Sequence, residues 1–369
     1  MSVGVDLTHL PDSLADVLRA AAEHTVHTGL PDDDALLETR KSGLFAVGVP
    51  VEHGGAGGDA AAVNEMVEQV ARVNPSVAII LFQHFAVSAR IAEWGTPDQQ
   101  ADLLPRLASG ELLAASAWSE PGAGAAKKRI STTALRLPGD RWLLDGAKSF
   151  TTGATVADLY LVLARTGPAD DGSTSAYGSA GQSFFLVRAD NPGLCPDLGM
   201  DLAGMRGSAT GFVSLRQCEV PDADRLGPLG GAPRIISGVR ESGLTLGAVS
   251  VGIAQALLDL AARQVAKVDT PIARRRLVDL ATQVEAVRAM VTYAGQRVSA
   301  APGLTTLHSK LFASAVAEQV GAEVARLIGS AGYVTGHEVN RLIADARAVA
   351  LMGPTNELCR ELVSHAWNL

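Results

Sequence analysis

The order of local patterns predicts three subdomains: helices, then a strand-rich middle, then helices again. Three observations carry this. Apolar residues recur at helical spacing in both end regions, short apolar runs bounded by turn residues fill the middle, and the two kinds of segment do not alternate. A doubly wound α/β fold needs alternation of strand and helix, so that class is set aside. The chain has 369 residues, 47% of them hydrophobic, enough for two or three packed units. The expected units are 1–115, 116–228 and 229–369.

In the first unit, Leu14, Val17, Leu18 and Ala21 share one helical face. The stretch Pro50-Val51-Glu52-His53-Gly54-Gly55-Ala56-Gly57-Gly58 breaks that pattern and reads as a flexible connecting loop. Phosphate binding there is disfavoured, because no strand precedes it in a βαβ arrangement. An amphipathic helix follows over Val77–Trp94 and carries His84. No second His or Cys stands at ligand spacing, so His84 reads as a packed histidine rather than a metal ligand, and no metal site is expected.

In the middle unit, strands are expected at Arg141–Gly146, Leu159–Ala164, Ser183–Val187 and Phe212–Leu215. Gly167–Gln182, rich in Gly, Ser, Ala and Asp, reads as a mobile surface loop. In the last unit, Val284, Val287, Arg288 and Val291 fall at helical offsets, as do Leu311, Ala315 and Val316. Leu244–Ala262 reads as the most apolar helical stretch. Its Gln255 and Asp259, with the small residues Gly247, Ala248 and Gly252, favour a buried bundle helix over a membrane span.

Charged residues are 19% and the net charge is −8, which argues against nonspecific nucleic-acid binding. Cys195, Cys218 and Cys359 are isolated and read as reduced, buried thiols of a cytoplasmic protein. Met1–Leu10 has neither a basic region nor a long apolar run, so no signal peptide is expected.

Two stretches carry chemistry: Trp118-Ser119-Glu120-Pro121-Gly122-Ala123-Gly124 and Leu144-Asp145-Gly146-Ala147-Lys148-Ser149-Phe150-Thr151-Thr152-Gly153. A flavin ring needs hydrogen-bond donors along its pyrimidine edge and at N5, and an apolar wall on one face, and tight Gly/Pro loops supply backbone donors. These stretches resemble the flavin-cradling loops of acyl-CoA dehydrogenases. Further matches follow in order: Gly95-Thr96-Pro97-Asp98-Gln99, Leu104 to Gly110, Asn191 to Leu194, Gly204 to Ser208, Val220-Pro221, and Gly252 to Ala256.

The resemblance spans nearly the whole chain. It implies an acyl-CoA dehydrogenase-like fold with a helical N-terminal domain, a middle β-barrel or sandwich domain and a C-terminal four-helix bundle. It also implies bound FAD, a homodimer or homotetramer, and a thioester substrate carried on CoA or an acyl carrier protein. Ser116, Trp118 and Ser119 match the loop at the pyrimidine edge, and Gly124 opens the segment that matches the family's Gly-Ser-Asp, another cofactor contact. Phe150 matches the aromatic that covers the ring, and Thr152 the hydroxyl near N5. Arg326, Gly329, Thr355 and Glu357 match further cofactor contacts.

The family reaction removes an α-proton with a carboxylate while the β-hydrogen leaves as hydride. Here Gly353 stands where most members place that glutamate, and Ser242 where a minority place it, at the start of the helix carrying Gly252 to Ala256. Glu241, one residue earlier, is the candidate base. A glutamate near a helix start also serves as an electrostatic cap, which is the competing reading. The cofactor arms depart too: Gln264–Arg276 lacks a Phe-Gly pair, Arg326 replaces a glutamine, and Gly124-Ala125-Ala126 lacks the family's hydroxyl. Ala273-Arg274-Arg275-Arg276 reads as a solvated helix face. The function expected is a divergent FAD-dependent oxidoreductase acting on an acyl thioester, in a biosynthetic setting. A flavin monooxygenase on the same fold and a non-redox, flavin-free paralogue are the alternatives.

Overall fold

Asn74 and Pro75 start the helix around which the N-terminal region packs. The Asn74 side chain accepts from the Val77 amide, and Pro75 occupies the first helical turn, where an absent N–H costs nothing. In the computed structural model, which describes residues 9–125, 127–168 and 177–368, this helix is α4 (Pro75–Trp94). Around it stand α1 (Asp12–Thr28), α2 (Asp33–Lys41), α3 (Ala60–Val73) and α5 (Pro97–Ala108). Thr96 and Gln99 form a reciprocal capping box on α5, so the Gly95–Gln99 motif has a local structural cause.

Of the residues predicted on the face of α1, Leu14, Leu18 and Ala21 are buried, while Val17 is 36% exposed. Among the described residues, the helix long and apolar enough to cross a membrane is α4, not Leu244–Ala262, and 78% of its apolar window is buried inside the protein. The glycine run is not a loose connector. Backbone bonds run from Ala56 to Ala46, Gly57 to Val49 and Gly58 to Val47, and a Cβ on Gly55 would stand 1.9 Å from the Val49 carbonyl oxygen. Glycine is needed there because two backbone segments touch.

The middle region contains β1 (Ala114–Ala117), β2 (Thr133–Leu137), β3 (Arg141–Thr151), β4 (Leu159–Arg165), β5 (Gln182–Arg188), β6 (Leu194–Asp197), β7 (Gly211–Pro221) and β8 (Arg225–Leu226). All four predicted strands are present. The sheet order is β6-β7-β3-β2-β4-β5-β8, with β1 parallel to β4. β2 and β4 meet at a single residue pair, Thr133 and Arg165. The sheet therefore divides into two leaves, one built on β3 and β7, the other on β4 and β5. Within the stretch expected as a mobile loop, residues 169–176 lie outside the described residues, as does Ala126.

The C-terminal region comprises α6 (Ala232–Glu241), α7 (Gly247–Val268), α8 (Pro271–Gln296), α9 (Pro302–Ile328), α10 (Glu338–Leu351) and α11 (Asn356–Ala366). Helices α7 to α10 pack as the expected bundle, and α3 lies against α7 and α8. Val284, Val287 and Val291 are each at most 2% exposed and contribute roughly 1.5–3 kcal/mol apiece to folding. On α9 the buried stripe is Ala313, Val316, Ala317 and Val320, and Ala315 faces out.

Two thiols are buried as expected, Cys218 and Cys359, but Cys195 is exposed. It lies on the sheet-edge strand β6, where only Leu194 turns inward. His84 is fully buried beside Phe45 and Phe85. Burial drops its pKa to about 3, so it is a neutral core histidine whose Nδ1 accepts from the Ala114 amide and ties α4 to β1.

Candidate active site

The site is built where β1 runs out and β3 ends. Ser116 lies on β1, and the chain then leaves the sheet through Trp118 and Ser119. The Ser149 amide donates to the Ser119 carbonyl at 2.9 Å, clamping this loop against β3. Behind the clamp, Lys148 Nζ donates to Glu120 Oε1 at 2.6 Å, with both side chains at most 1% exposed. Glu120 also accepts from the Ser131 amide and hydroxyl and from the Thr132 amide. Burial alone would raise the Glu120 carboxyl, but the charge and hydrogen bond of Lys148 and these donors hold it at about 2. Burial in turn lowers Lys148 to about 8, against the pull of Glu120. A buried pair with every lone pair engaged fixes the geometry of the strand and loop that flank it.

That anchoring presents Phe150 to solvent. Its φ is 53° and its ring is 68% exposed, an unfavourable setting for a phenylalanine on a strand. The neighbouring hydroxyls form a buried chain, Thr152 to Thr210 at 3.1 Å and Thr210 to Ser208 at 2.8 Å. The Trp118 indole packs on Phe184, and its buried Nε1 meets no acceptor among the described residues. Gly122 and Gly124 adopt positive φ, and an added Cβ at either would meet nothing within 4 Å. An exposed ring, an unmet indole donor, a hydroxyl chain and an open glycine loop fit the flat, acceptor-edged ring of a flavin.

Sequence reasoning passed over Lys127, which stands in this group. It is 6% exposed and donates to Ser119 Oγ at 2.7 Å, and burial lowers its pKa to about 8. It follows the family's lost hydroxyl by two positions, a signal that composition alone does not weigh.

The structure therefore brings Ser116, Trp118, Ser119, Phe150 and Thr152 together, with Gly124 on the adjoining loop. Thr355 and Glu357 begin α11, whose Leu358, Cys359 and Leu362 share a core with Trp118 and Phe184. Thr355 Oγ1 caps that helix through the Leu358 amide, and Glu357 is exposed and paired with Arg360. Lys310 and Ser314 on α9 hold Asn356, which fixes the turn carrying Gly353. Arg326 and Gly329 lie apart from these residues. They end α9, roughly 20 Å along the helix from Ser314 at 1.5 Å per residue, and Arg326 is exposed and paired with Glu323. The arginines after Ala273 behave as a helix face: Arg274 pairs with Asp269 and Arg276 with Glu323.

Glu241 is not where the sequence placed it. It is the last residue of α6, and α7 begins only at Gly247, so Ser242 and Gly243 belong to the turn between two helices. Glu241 Oε2 accepts from the Gly303 amide at 3.1 Å, which makes it a cap for the N-terminus of α9. It also lines a cavity of about 420 Å³ between α4, α6 and the glycine turn, together with Ser242 and Arg90. A roomier cavity of about 750 Å³ lies between α5 and the sheet. Its two arginines are ion-paired, Arg188 with Asp102 and Arg225 with Asp222, and Asp98 and Asp224 also line it.

The chain matches three consecutive family models: the N-terminal domain of acyl-CoA dehydrogenase over residues 12–111, the middle domain over 115–218 and the C-terminal domain over 230–367. It belongs to the acyl-CoA dehydrogenase family. An acyl-CoA dehydrogenase of Bacillus subtilis is 31% identical across 88% of this chain and 86% of its own length. A probable acyl-CoA dehydrogenase of Mycobacterium tuberculosis is 31% identical across 98% and 97%. The solved structure of butyryl-CoA dehydrogenase from Megasphaera elsdenii superposes with a TM-score of 0.89 at 25% identity, covering 99% of this chain and 97% of that one. As a member of this family of flavoenzymes the chain is an oxidoreductase. Its departures are confined to particular residues: it has no carboxylate at Gly353 or Ser242.

Proposed function

We propose that this protein is a divergent FAD-dependent oxidoreductase that desaturates an acyl thioester carried on CoA or an acyl carrier protein, in a cytoplasmic biosynthetic pathway. The observation that carries the reading is the clamped loop pair at Ser119 and Ser149, which leaves Phe150 exposed beside Trp118 and Thr152. FAD, when bound there, supplies the hydride acceptor for the β-hydrogen of the acyl group. Trp118, Ser119 and Thr152 would hold its ring, Lys127 would place a cation beside Ser119, and Phe150 would cover one face. Arg326 and Gly329 lie far along α9, which supports a contact to the cofactor of a second subunit in a homodimer or homotetramer. Exposed Ile272, Val278 and Tyr293 on α8 leave apolar surface for such a contact.

The α-proton needs a base. Three carboxylates line the 420 Å³ cavity. Asp59 caps α3 and Glu93 pairs with Arg90, whereas Glu241 has no ion pair among the described residues and accepts from the Gly303 amide through Oε2. Glu241 would take the α-proton as the β-hydrogen departs and the carbon–carbon double bond forms.

The test is the visible spectrum of the purified protein before and after added FAD, followed by anaerobic addition of acyl thioesters. Flavin bands that bleach with a thioester are the expected result; a protein that takes up no flavin overturns the reading. The missing carboxylates at Gly353 and Ser242 favour a second reading, a flavin monooxygenase that needs no α-proton base. Rapid oxygen uptake with added reduced flavin, and no anaerobic bleaching, would establish that alternative instead.

A further inference from the structure

Arg90 is the one cavity-lining charge whose burial has no evident structural return. It sits on the inner side of α4 and is 3% exposed. Its Nε is buried and meets no acceptor among the described residues, and its buried NH1 makes no aligned hydrogen bond there either. The nearest carboxylate, Glu93, approaches NH1 at 3.1 Å, but its side chain is 45% exposed and its charge stays largely hydrated. Arg297 enters the same cavity from the end of α8; burial lowers the Arg90 pKa, the Glu93 charge partly opposes this, and the Arg297 charge adds to it. The other two carboxylates of the lining serve helix ends: Asp59 accepts from the Ala62 amide and Glu241 from the Gly303 amide. Gly238 on α6 leaves room at this point, since a Cβ there would come within 3.3 Å of both Arg90 NH1 and Glu93 Oε1.

A buried guanidinium with open donors, and a second arginine at its side, asks for an anionic acceptor from the cavity. We propose that this cavity receives an acyl group whose distal end carries a carboxylate, and that Arg90, supported by Arg297, selects for it. The inference rests on the reading of the protein as an acyl-thioester oxidoreductase and names its substrate class. A plain alkyl chain of the same length would fill the space yet leave the Arg90 donors unmet, so it binds more weakly. The cavity's volume, about 420 Å³, suits a short acyl chain together with its terminal group.

Binding of glutaryl-CoA and pentanoyl-CoA, equal in chain length, would be measured by calorimetry on the purified protein supplied with FAD. The expected preference is about 10-fold or more for glutaryl-CoA, a difference of about 1.4 kcal/mol. Arg90→Met is expected to abolish or reverse it. Arg297→Gln, an exposed substitution that leaves the core intact, is expected to reduce the preference several-fold even if the Arg90 variant fails to fold. Equal binding of the two thioesters, tighter binding of pentanoyl-CoA, binding of neither, or a preference that survives both substitutions overturns the proposal. Anaerobic bleaching of the flavin is read separately on the same samples. Preference without bleaching removes the redox reading and keeps the anion site; bleaching by pentanoyl-CoA without preference does the reverse.

Discussion

Glu241 shows how one residue can serve two purposes, one structural and one chemical. Its carboxylate caps α9 through the Gly303 amide and faces a cavity that also holds Ser242. Glu241→Gln keeps an acceptor for Gly303 while removing the proton acceptor. It is expected to retain FAD content and thermal stability and to lose anaerobic flavin reduction by at least about 100-fold. Undiminished reduction would assign the base elsewhere. Glu120 is the opposite case, a carboxylate with no chemistry of its own in this reading. Removing its charge strands Lys148 in a dry interior, so Glu120→Gln is expected to cost about 3–5 kcal/mol. Urea unfolding measures it, and a loss below about 1 kcal/mol would mean that the buried pair does not hold the loop. Both stretches containing this pair were legible as flavin loops from their residues alone. Lys127 and Arg90 were not, because a single basic residue has no pattern; burial and the absence of an acceptor are tertiary facts.

Helices and strands were read from periodicity with success where one face is buried and the other wet. β4 and β5 are nearly continuous apolar runs because both faces of those strands are covered. The register between helices is a different matter. Gly252 on α7 was legible as a small residue within a family match, but not as the point that sets how closely two helices approach. A Cβ there would stand 2.4 Å from the Glu68 carbonyl oxygen and 2.9 Å from the Arg72 amide nitrogen of α3. Gly252→Ala is expected to destabilise by about 1–3 kcal/mol through forced separation of α3 and α7. Chemical denaturation reports it, and a neutral or stabilising outcome would show that the contact relaxes without loss. The misplaced start of α7 has a related cause. The resemblance put Ser242 at the start of that helix, but Gly243, at φ 80°, turns the chain after α6 and α7 begins only at Gly247.

At the scale of the molecule, the bundle and the β-region meet at Asp345. Its Oδ1 accepts from the Met205 amide at 2.5 Å while the side chain is only 4% exposed. Burial raises its pKa to about 6, partly opposed by that hydrogen bond and by Arg341. The folded state thus favours the neutral acid. The associated stability is complete below the ordinary value of 3.8 and is lost as pH rises through about 6. The full swing is roughly 3 kcal/mol. Asp345→Asn keeps an acceptor for Met205 and is expected to remove this part of the pH dependence, making the variant relatively more stable at pH 7 than at pH 4. Unfolding curves of both proteins across that range test it, and identical pH profiles would exclude Asp345 as the source.

The sequence by itself determined the order of helical and strand-rich regions and the family, through the paired loops from Trp118 to Gly153. Those follow from properties that repeat locally: side-chain periodicity, turn chemistry and short ordered motifs. Tertiary structure alone decided that the glycine run is a tight turn, that Glu241 caps a helix distant in sequence, that Cys195 is exposed, and that Arg90 is buried with donors to spare. Each of these depends on which distant segments are brought into contact, and a linear pattern carries no record of the neighbours that burial selects.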